Sequence, residues 1–323
     1  MSSFQSSIAP LIQSFIRYRK ASDHWNVSSS EPNLLIFERY CLINYPGFTE
    51  LTQEMVDNWC HQRDTELNES CRVRIGPVVG FVRYLKERGL TSIYEPVIPK
   101  KEPRIYIPHA FTEQELTNFF CECDSLGVHP RNKPVLTRKL TVPVFFRLLY
   151  SSGIRTTEAR LLRKTDVDME HGILDIRYSK GRNQHYIALH DSMLELIRKY
   201  DTAIEKIRPN RTYFFPARND SFHKRSWVQK NFHDIWYGVN KAHAVAYELR
   251  HHYAVKNINR WAGLGVTFND KLLYLSKSMG HTTIESTKYY YSIVPGLSQI
   301  LREKTETGFD WIVPEVEDDE SNE

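Results

Sequence analysis

Five short stretches in the second half of the chain place anion- and proton-handling residues where they could act together. Arg155 follows the turn Ser151-Ser152-Gly153 and opens the helix-prone run Thr156–Leu162, putting a guanidinium beside a helix N-terminus whose unpaired N–H groups already favour an anion. Lys180 stands in the polar turn Ser179–Gln184 between two β-prone runs, where a flexible ammonium can reach a phosphate. Tyr247 and Arg250 are three apart in a helical stretch and so share a face. His281 follows Gly280, a helix-stop signal, and the cluster Thr287-Lys288-Tyr289-Tyr290-Tyr291 comes soon after. Such a set could displace a group at phosphorus without a metal, since it offers a phenol nucleophile, planar cations for the nonbridging oxygens and a group to move a proton. Taken singly, each has a plainer reading as a surface arginine, a turn lysine, packed tyrosines or a structural histidine.

Helix dominates the elements that must position these residues. The first hundred residues read as amphipathic helices over Ile8–Tyr18, Leu34–Leu42, Glu54–Asp64 and Ser70–Arg88, the last with apolar Val73, Val79, Val82 and Leu85 on one side and Gly89 as its C-cap. Its basic residues have the plainer reading of a solvated face. Pro96, Pro99, Pro103 and Pro108 then forbid a long helix, and 96–108 reads as an interdomain linker. The second region restarts at Thr112–Glu115 with a capping-box pattern, in which hydroxyl and carboxylate satisfy each other's orphan backbone donors. Ile173–Tyr178 and His185–Leu189 around the polar turn predict a β-hairpin, while Thr212–Pro216 is an apolar run of ambiguous type.

A length of 323 residues favours two domains over one, and 41% apolar and 25% charged residues with 14 Gly and 15 Pro exclude a disordered or collagen-like chain. Five scattered cysteines, Cys41, Cys60, Cys71, Cys121 and Cys123, read as reduced thiols, because the Cys121-Glu-Cys123 pair lacks a second pair to complete a zinc set. No apolar run is long enough to span a membrane and no signal peptide opens the chain, so the protein reads as cytoplasmic. The net charge is +4, but Glu315–Glu323 holds six acidic residues and no basic one, which leaves +10 on the 314 residues before it. That excess points to a polyanionic partner.

In order and spacing, these motifs resemble the tyrosine recombinase (phage integrase) family. The resemblance rests on Arg155 to Glu158 after a Ser-Gly turn, the basic hairpin tip at Lys180, Leu249-Arg250-His251, Met279-Gly280-His281, and Thr287 to Tyr290. The stretch Phe81–Gly89 and the run Phe214–Arg218 also look like segments of that family, so the likeness covers nearly the whole chain. It implies a mainly α fold with a small β-hairpin or sheet in the catalytic domain, arranged as a two-domain DNA clamp. The expected domains are a helical core-binding domain over 1–95, the linker, a catalytic domain over 109–314 with a C-terminal docking segment, and an acidic tail over 315–323. It further implies a site-specific recombinase of the integrase, transposase or resolvase type, working through a 3′-phosphotyrosine without metal, ATP or cofactor.

By that resemblance Arg155 and Arg250 clamp the phosphate, Tyr247 hydrogen-bonds it, His281 hydrogen-bonds the phosphate or the nucleophile, Lys180 protonates the leaving 5′ oxygen and Tyr290 attacks. Arg72, Arg74, Arg83, Lys86, Lys100, Lys101 and Arg182 are the expected contacts to double-stranded DNA. The expected partners are that duplex, three further protomers in a synaptic tetramer and accessory recombination proteins, with the protein on the nucleoid when bound. No membrane partner is expected, and no N-terminal arm-binding domain is evident. Leu297, Ile300 and Leu301, with Phe309, Trp311, Ile312 and Val313, form an apolar set that needs cover from the parent domain or a neighbouring protomer.

One position departs from the pattern. The family usually has His three residues before its second arginine, and here that residue is Tyr247, a poor proton shuttle at neutral pH with its reference pKa of about 10. Two other readings follow, a DNA-binding accessory protein with weakened or lost chemistry, and a relaxing topoisomerase with the same phosphotyrosine step. A metal-dependent nuclease would need converging carboxylates, and Asp166-Val167-Asp168 reads more simply as a turn former. His251 and His252 read as structural.

Overall fold

The computed structural model describes residues 4–21, 25, 27–102, 107–127, 132–177, 184–261, 267–284, 286–287 and 290. Lys180, Arg182, the apolar set 297–313 and the acidic tail lie outside the described residues. The chain divides into two compact units, Met1–Ile105 and Tyr106–Glu323. Among the described residues no helix is long and apolar enough to cross a membrane.

The first unit consists of α1 (Ala9–Ala21), α2 (Val27–Asn44), α3 (Gln53–Cys60) and α4 (Asn68–Lys86). Local signals set the ends. The Thr52 hydroxyl accepts from Met55 N–H at the start of α3, and Gly89, at φ +68°, lets Leu90 N–H return to Leu85 O beyond α4. Phe15, Leu34, Phe37, Val56, Ile75, Val78 and Phe81 interlock as the core of this unit. Removing that apolar surface from water is the main force holding four short helices together.

Arg74 corrects the expectation for the basic face of α4. It is buried, with its Nε 2.7 Å and Nη2 2.6 Å from the two carboxylate oxygens of Glu66, and it also donates to the carbonyls of Trp59 and His61. A guanidinium so enclosed is a tie between α4 and the loop before it rather than a surface contact for a phosphate. Arg72 donates to Pro99 O, Arg83 pairs with Glu95 at 2.7 Å, and Lys86 lies 5.3 Å from the Tyr94 ring centroid. Arg83, Lys86, Lys100 and Lys101 are exposed.

The second unit contains α5 (Glu113–Asp124), α6 (Lys133–Ser152), α7 (Thr156–Leu161), β1 (Val167–Asp168), β2 (Ile173–Ile176), β3 (His185–Ala188), α8 (Asp191–Glu205), α9 (Arg225–Val239), α10 (Glu248–Trp261) and α11 (Thr267–Ser278). The capping box at α5 is present in both directions. The three strands are antiparallel in the order β1-β2-β3, with Val167 opposite Leu174 and Ile176 opposite His185. The core is strongly aromatic, with Phe119, Phe145, Phe146, Phe215, Phe232 and Trp236 in mutual edge, tilted and stacked contacts. The ambiguous run resolves as irregular chain carrying two core side chains, Phe214 and Phe215, with isolated bridges from Tyr213 to Arg163 and from Pro216 to Phe222. A separate small cluster of Ala254, Ile258, Leu272, Leu275, Met279 and Tyr290 joins α10, α11 and the residues after them.

Candidate active site

Two left-handed glycine turns form the base of the site. Gly153 (φ +63°) ends α6, and Gly280 (φ +62°) follows α11. Both positions require glycine, since a Cβ on Gly153 would enter the Tyr253 ring and one on Gly280 the His185 ring. Each turn thereby directs its carbonyl at an arginine from elsewhere in the chain. Arg155 at the N-cap of α7 donates Nη2 to Gly280 O at 2.8 Å. Arg250 on α10 donates Nη1 to Gly153 O and Nη2 to Met279 O at 2.7 Å.

Glu158, one turn into α7 and only 2% exposed, aims Arg155. Its carboxylate accepts from the Arg155 amide at 2.9 Å and from the guanidinium Nη1 at 2.5 Å, and His185 Nε2 on β3 lies 4.0 Å away. Arg250 is also 2% exposed, but no carboxylate pairs with it among the described residues. Its Nε has no hydrogen-bond partner there, and its Nη2 lies 3.0 Å from His281 Nε2. A buried cation held by carbonyls and a neutral ring retains most of its attraction for an anion.

His281 is held neutral. Burial, together with the nearby charges of Arg250, Arg155 and His185, pushes its pKa down to about 4. Because a guanidinium only donates, His281 Nε2 is the acceptor in that contact. The ring proton therefore sits on Nδ1, which is 2.7 Å from Thr287 Oγ1 and donates to it. Tyr290 stacks on the His281 ring, with centroids 5.8 Å apart and planes 11° from parallel, and touches the His251 ring on another side. Its phenol is 3% exposed, and burial raises its pKa against the opposing pull of Arg250.

The structure thus brings Arg155, Arg250, His281 and Tyr290 together. Tyr247 falls one residue before α10 and is 43% exposed, so it does not share the buried face of Arg250; its ring meets His251 edge-on at 5.2 Å. His251 is buried with its pKa down at about 4, and His252 stacks on Tyr150. Glu158 and Thr287 stood in the sequence motifs without an assigned place in the site, and His185 stood only in a β-prone run. Asp166 and Asp168 diverge, the first taking the Arg163 amide and the second the turn amides of Glu170 and His171. Among the described residues no group of three or more His, Cys, Asp or Glu side chains could hold a metal ion.

The sequence profile of the Phage integrase family matches residues 111–295, which include every residue of this cluster. The chain belongs to that family. Like other tyrosine recombinases, it is mainly helical with a small sheet. It is 22% identical over 306 residues to the putative integrase/recombinase y4rB of Sinorhizobium fredii, covering 90% of this chain and 95% of that protein. To y4rE of the same organism it is 24% identical over 189 residues, 57% of this chain and 59% of that one. The tyrosine recombinase XerC of Chlorobaculum parvum is 24% identical over 235 residues, 67% of each chain. Among solved structures, XerH bound to difH in a pre-cleavage complex shares the fold at TM-score 0.60 and 16% identity, covering 95% of this chain and 85% of that one. A lambda integrase tetramer on a Holliday junction aligns at TM-score 0.55 and 14% identity, over 86% and 76% of the two chains.

Proposed function

We propose that this protein is a site-specific DNA recombinase that breaks and rejoins strands through a 3′-phosphotyrosine. The carrying observation is Arg250, a buried guanidinium without a carboxylate, set beside Arg155, neutral His281 and the Tyr290 phenol. Arg155 and Arg250 bind the nonbridging oxygens of the scissile phosphate and share the charge that builds on them. Tyr290 Oη attacks phosphorus, the bond to O5′ breaks, and Lys180 supplies the proton that O5′ takes up. In the free protein His281 Nε2 accepts from Arg250; as that guanidinium turns to the phosphate, the lone pair is released to take the nucleophile's proton, while the ring's own proton stays directed at Thr287. Tyr247 is exposed at the rim, where a phenol can hydrogen-bond a phosphate oxygen without carrying proton traffic. The new ester retains the energy of the old one, so rejoining needs no ATP. One site cuts one strand, and exchange of four strands calls for four protomers on two duplexes.

The test begins by selecting bound sequences from a random duplex library and placing a nick next to each position of the selected site. Trapped protein–DNA adduct on the 3′ phosphate is expected with the natural chain and absent with Tyr290→Phe. An adduct that persists in Tyr290→Phe, or no adduct on any nicked duplex that the protein binds, would overturn the mechanism. Cleavage should proceed in EDTA, because cationic side chains rather than a metal carry the phosphate charge.

A further inference from the structure

Arg155 is held by two acceptors of different origin. Glu158 lies one turn along the same helix, so its carboxylate travels with the guanidinium. Gly280 O comes from 125 residues away and meets Arg155 only when the turn after α11 stands at the right separation from α7. A guanidinium holds its direction when both bonds are made together, because its donors are fixed in one plane. Whatever sets that separation therefore sets where Arg155 points.

One side chain touches both supports. His185 opens β3, opposite Ile176 on β2, and is 8% exposed. Its ring edge lies so close to Gly280 that a Cβ there would stand 2.5 Å from Cε1, 2.6 Å from Nδ1 and 2.9 Å from Nε2. The same Nε2 is 4.0 Å from Glu158 Oε2, the oxygen that takes the Arg155 amide. That distance exceeds a hydrogen bond, so the ring bears on Glu158 through packing and polarity. An imidazole is flat and rigid, and a rigid body packed between two surfaces fixes their spacing. The turn it props serves the whole cluster, since Met279 O receives Arg250, Gly280 O receives Arg155, and His281 follows with Nε2 beside Arg250. His281 senses the same ring, for burial, Arg250, Arg155 and His185 all lower its pKa.

We propose that His185 is a positioning residue for strand cleavage, a spacer between Glu158 and Gly280 that aims Arg155 at the scissile phosphate. It acts through the two acceptors it separates and not on the reacting atoms. The inference deepens the recombinase reading and rests on it for the meaning of cleavage. It also explains why position 280 is glycine in a second way, because the ring occupies the place of the missing Cβ.

Two readouts test it, one of them free of chemistry. In isotope-labelled protein, rotation about the Arg155 Nε–Cζ bond is slow while Glu158 and Gly280 both hold the guanidinium, so its two Nη nitrogens give separate magnetic resonance signals. His185→Ala should merge them, and His185→Gln, a planar amide of similar reach, should keep them apart. In single-turnover cleavage at saturating nicked duplex, His185→Ala should slow adduct formation about a hundredfold, the order expected of a clamp displaced by about 1 Å, with duplex affinity unchanged. His185→Gln should restore most of that rate. In Arg155→Lys protein the His185→Ala change should cost less than about threefold, because the route by which it acts has already gone. Ile187→Ala, buried on the same face of β3, is the structural control. It should lower the melting temperature, leave the Nη signals separate and cost the same in both backgrounds. If His185→Ala does not fold, His185→Leu, which fills the space without a flat polar edge, replaces it with the same expectations. Separate Nη signals, cleavage at the natural rate, or an equal cost in both Arg155 backgrounds would overturn the spacer and leave the recombinase reading intact. A natural chain that forms no adduct on any duplex it binds would remove the recombinase reading, and the Nη signals alone would then decide whether His185 aims Arg155.

Discussion

Arg74 in the helical unit and Arg250 in the second unit are both buried guanidiniums, and they have solved the problem of burial differently. Arg74 forms a two-point pair with Glu66 and adds two carbonyls, so its charge is matched on the spot. Arg211, another buried arginine of the second unit, is matched in the same way by Asp201 and Glu205. Arg250 has carbonyls, a neutral imidazole and the Tyr290 phenol, and no carboxylate among the described residues. A buried cation that has its carboxylate is a structural tie, while one held by dipoles alone keeps its attraction for an anion that arrives from outside.

The largest expected effect breaks the tie. Arg74→Ala leaves the half-buried Glu66 and two carbonyls without their partner and should cost about 3 kcal/mol of stability in the first unit. Hydrogen exchange in peptides from 53–86 measures it, and the salt dependence of DNA binding should stay unchanged. Arg250→Ala should reverse the pattern, adding at least about 3 kcal/mol to the cleavage barrier, comparable to losing one oxyanion donor. Its unfolding midpoint should stay level or rise, because an unmatched buried charge has gone. Single-turnover cleavage and thermal melting together decide this. If both variants lose stability alike, the distinction between the two arginines fails.

A subtler variant reaches Arg250 through its carbonyl. Gly153→Ala puts a Cβ into the Tyr253 ring and a non-glycine residue at φ +63°, a strain of about 1–2 kcal/mol that shifts the carbonyl Arg250 uses. Cleavage should fall while DNA affinity holds, and unchanged cleavage would show that Gly153 O is dispensable for aiming Arg250. The smallest effect is on acid stability. His223, His251 and His281 have folded pKa values near 4, below the usual 6.5, so the unfolded chain binds the additional protons between those limits. Stability of the second unit is complete above about pH 6.5 and falls as pH drops toward 4. Glu66 is depressed to about 2 from 4.5, so its contribution to the first unit is lost only below about pH 4.5. Exchange rates at pH 5.5 should therefore rise in the second unit before the first, and the opposite order would contradict the assigned protonation states.

Much of this architecture was legible because its signals are local. The Thr112–Glu115 box, the Gly89 cap and the strands around 179–184 each depend on a few adjacent residues. The extra strand at Val167–Asp168 escaped notice because two residues carry no alternation to read. The start of α2 lies upstream of the expected one, since Pro32 inside it looks like a breaker. Arg72 and Arg74 are indistinguishable as letters; only the loop that returns Glu66 to one of them separates a surface cation from an internal tie. The site residues were legible as motifs, but their exposure was not. Tyr247 and Arg250 share a helical spacing, yet α10 begins between them, so one is open to solvent and the other enclosed. His185 had no signal at all, since its place is set by the Cβ that Gly280 lacks.

The crossed carbonyl bonds of the two glycine turns also set a schedule for synthesis. Arg155 takes its hold on Gly280 O from 125 residues away, and Arg250 needs both turns. At about 5–20 residues per second, a ribosome completes Arg155 about 6–25 s before it reaches Gly280. Throughout that interval the arginine cradle lacks one wall and Tyr290 has not been made. Under the proposed mechanism, a nascent chain whose first unit has already folded still lacks both that wall and the nucleophile, so competence to break a strand follows the synthesis of Tyr290.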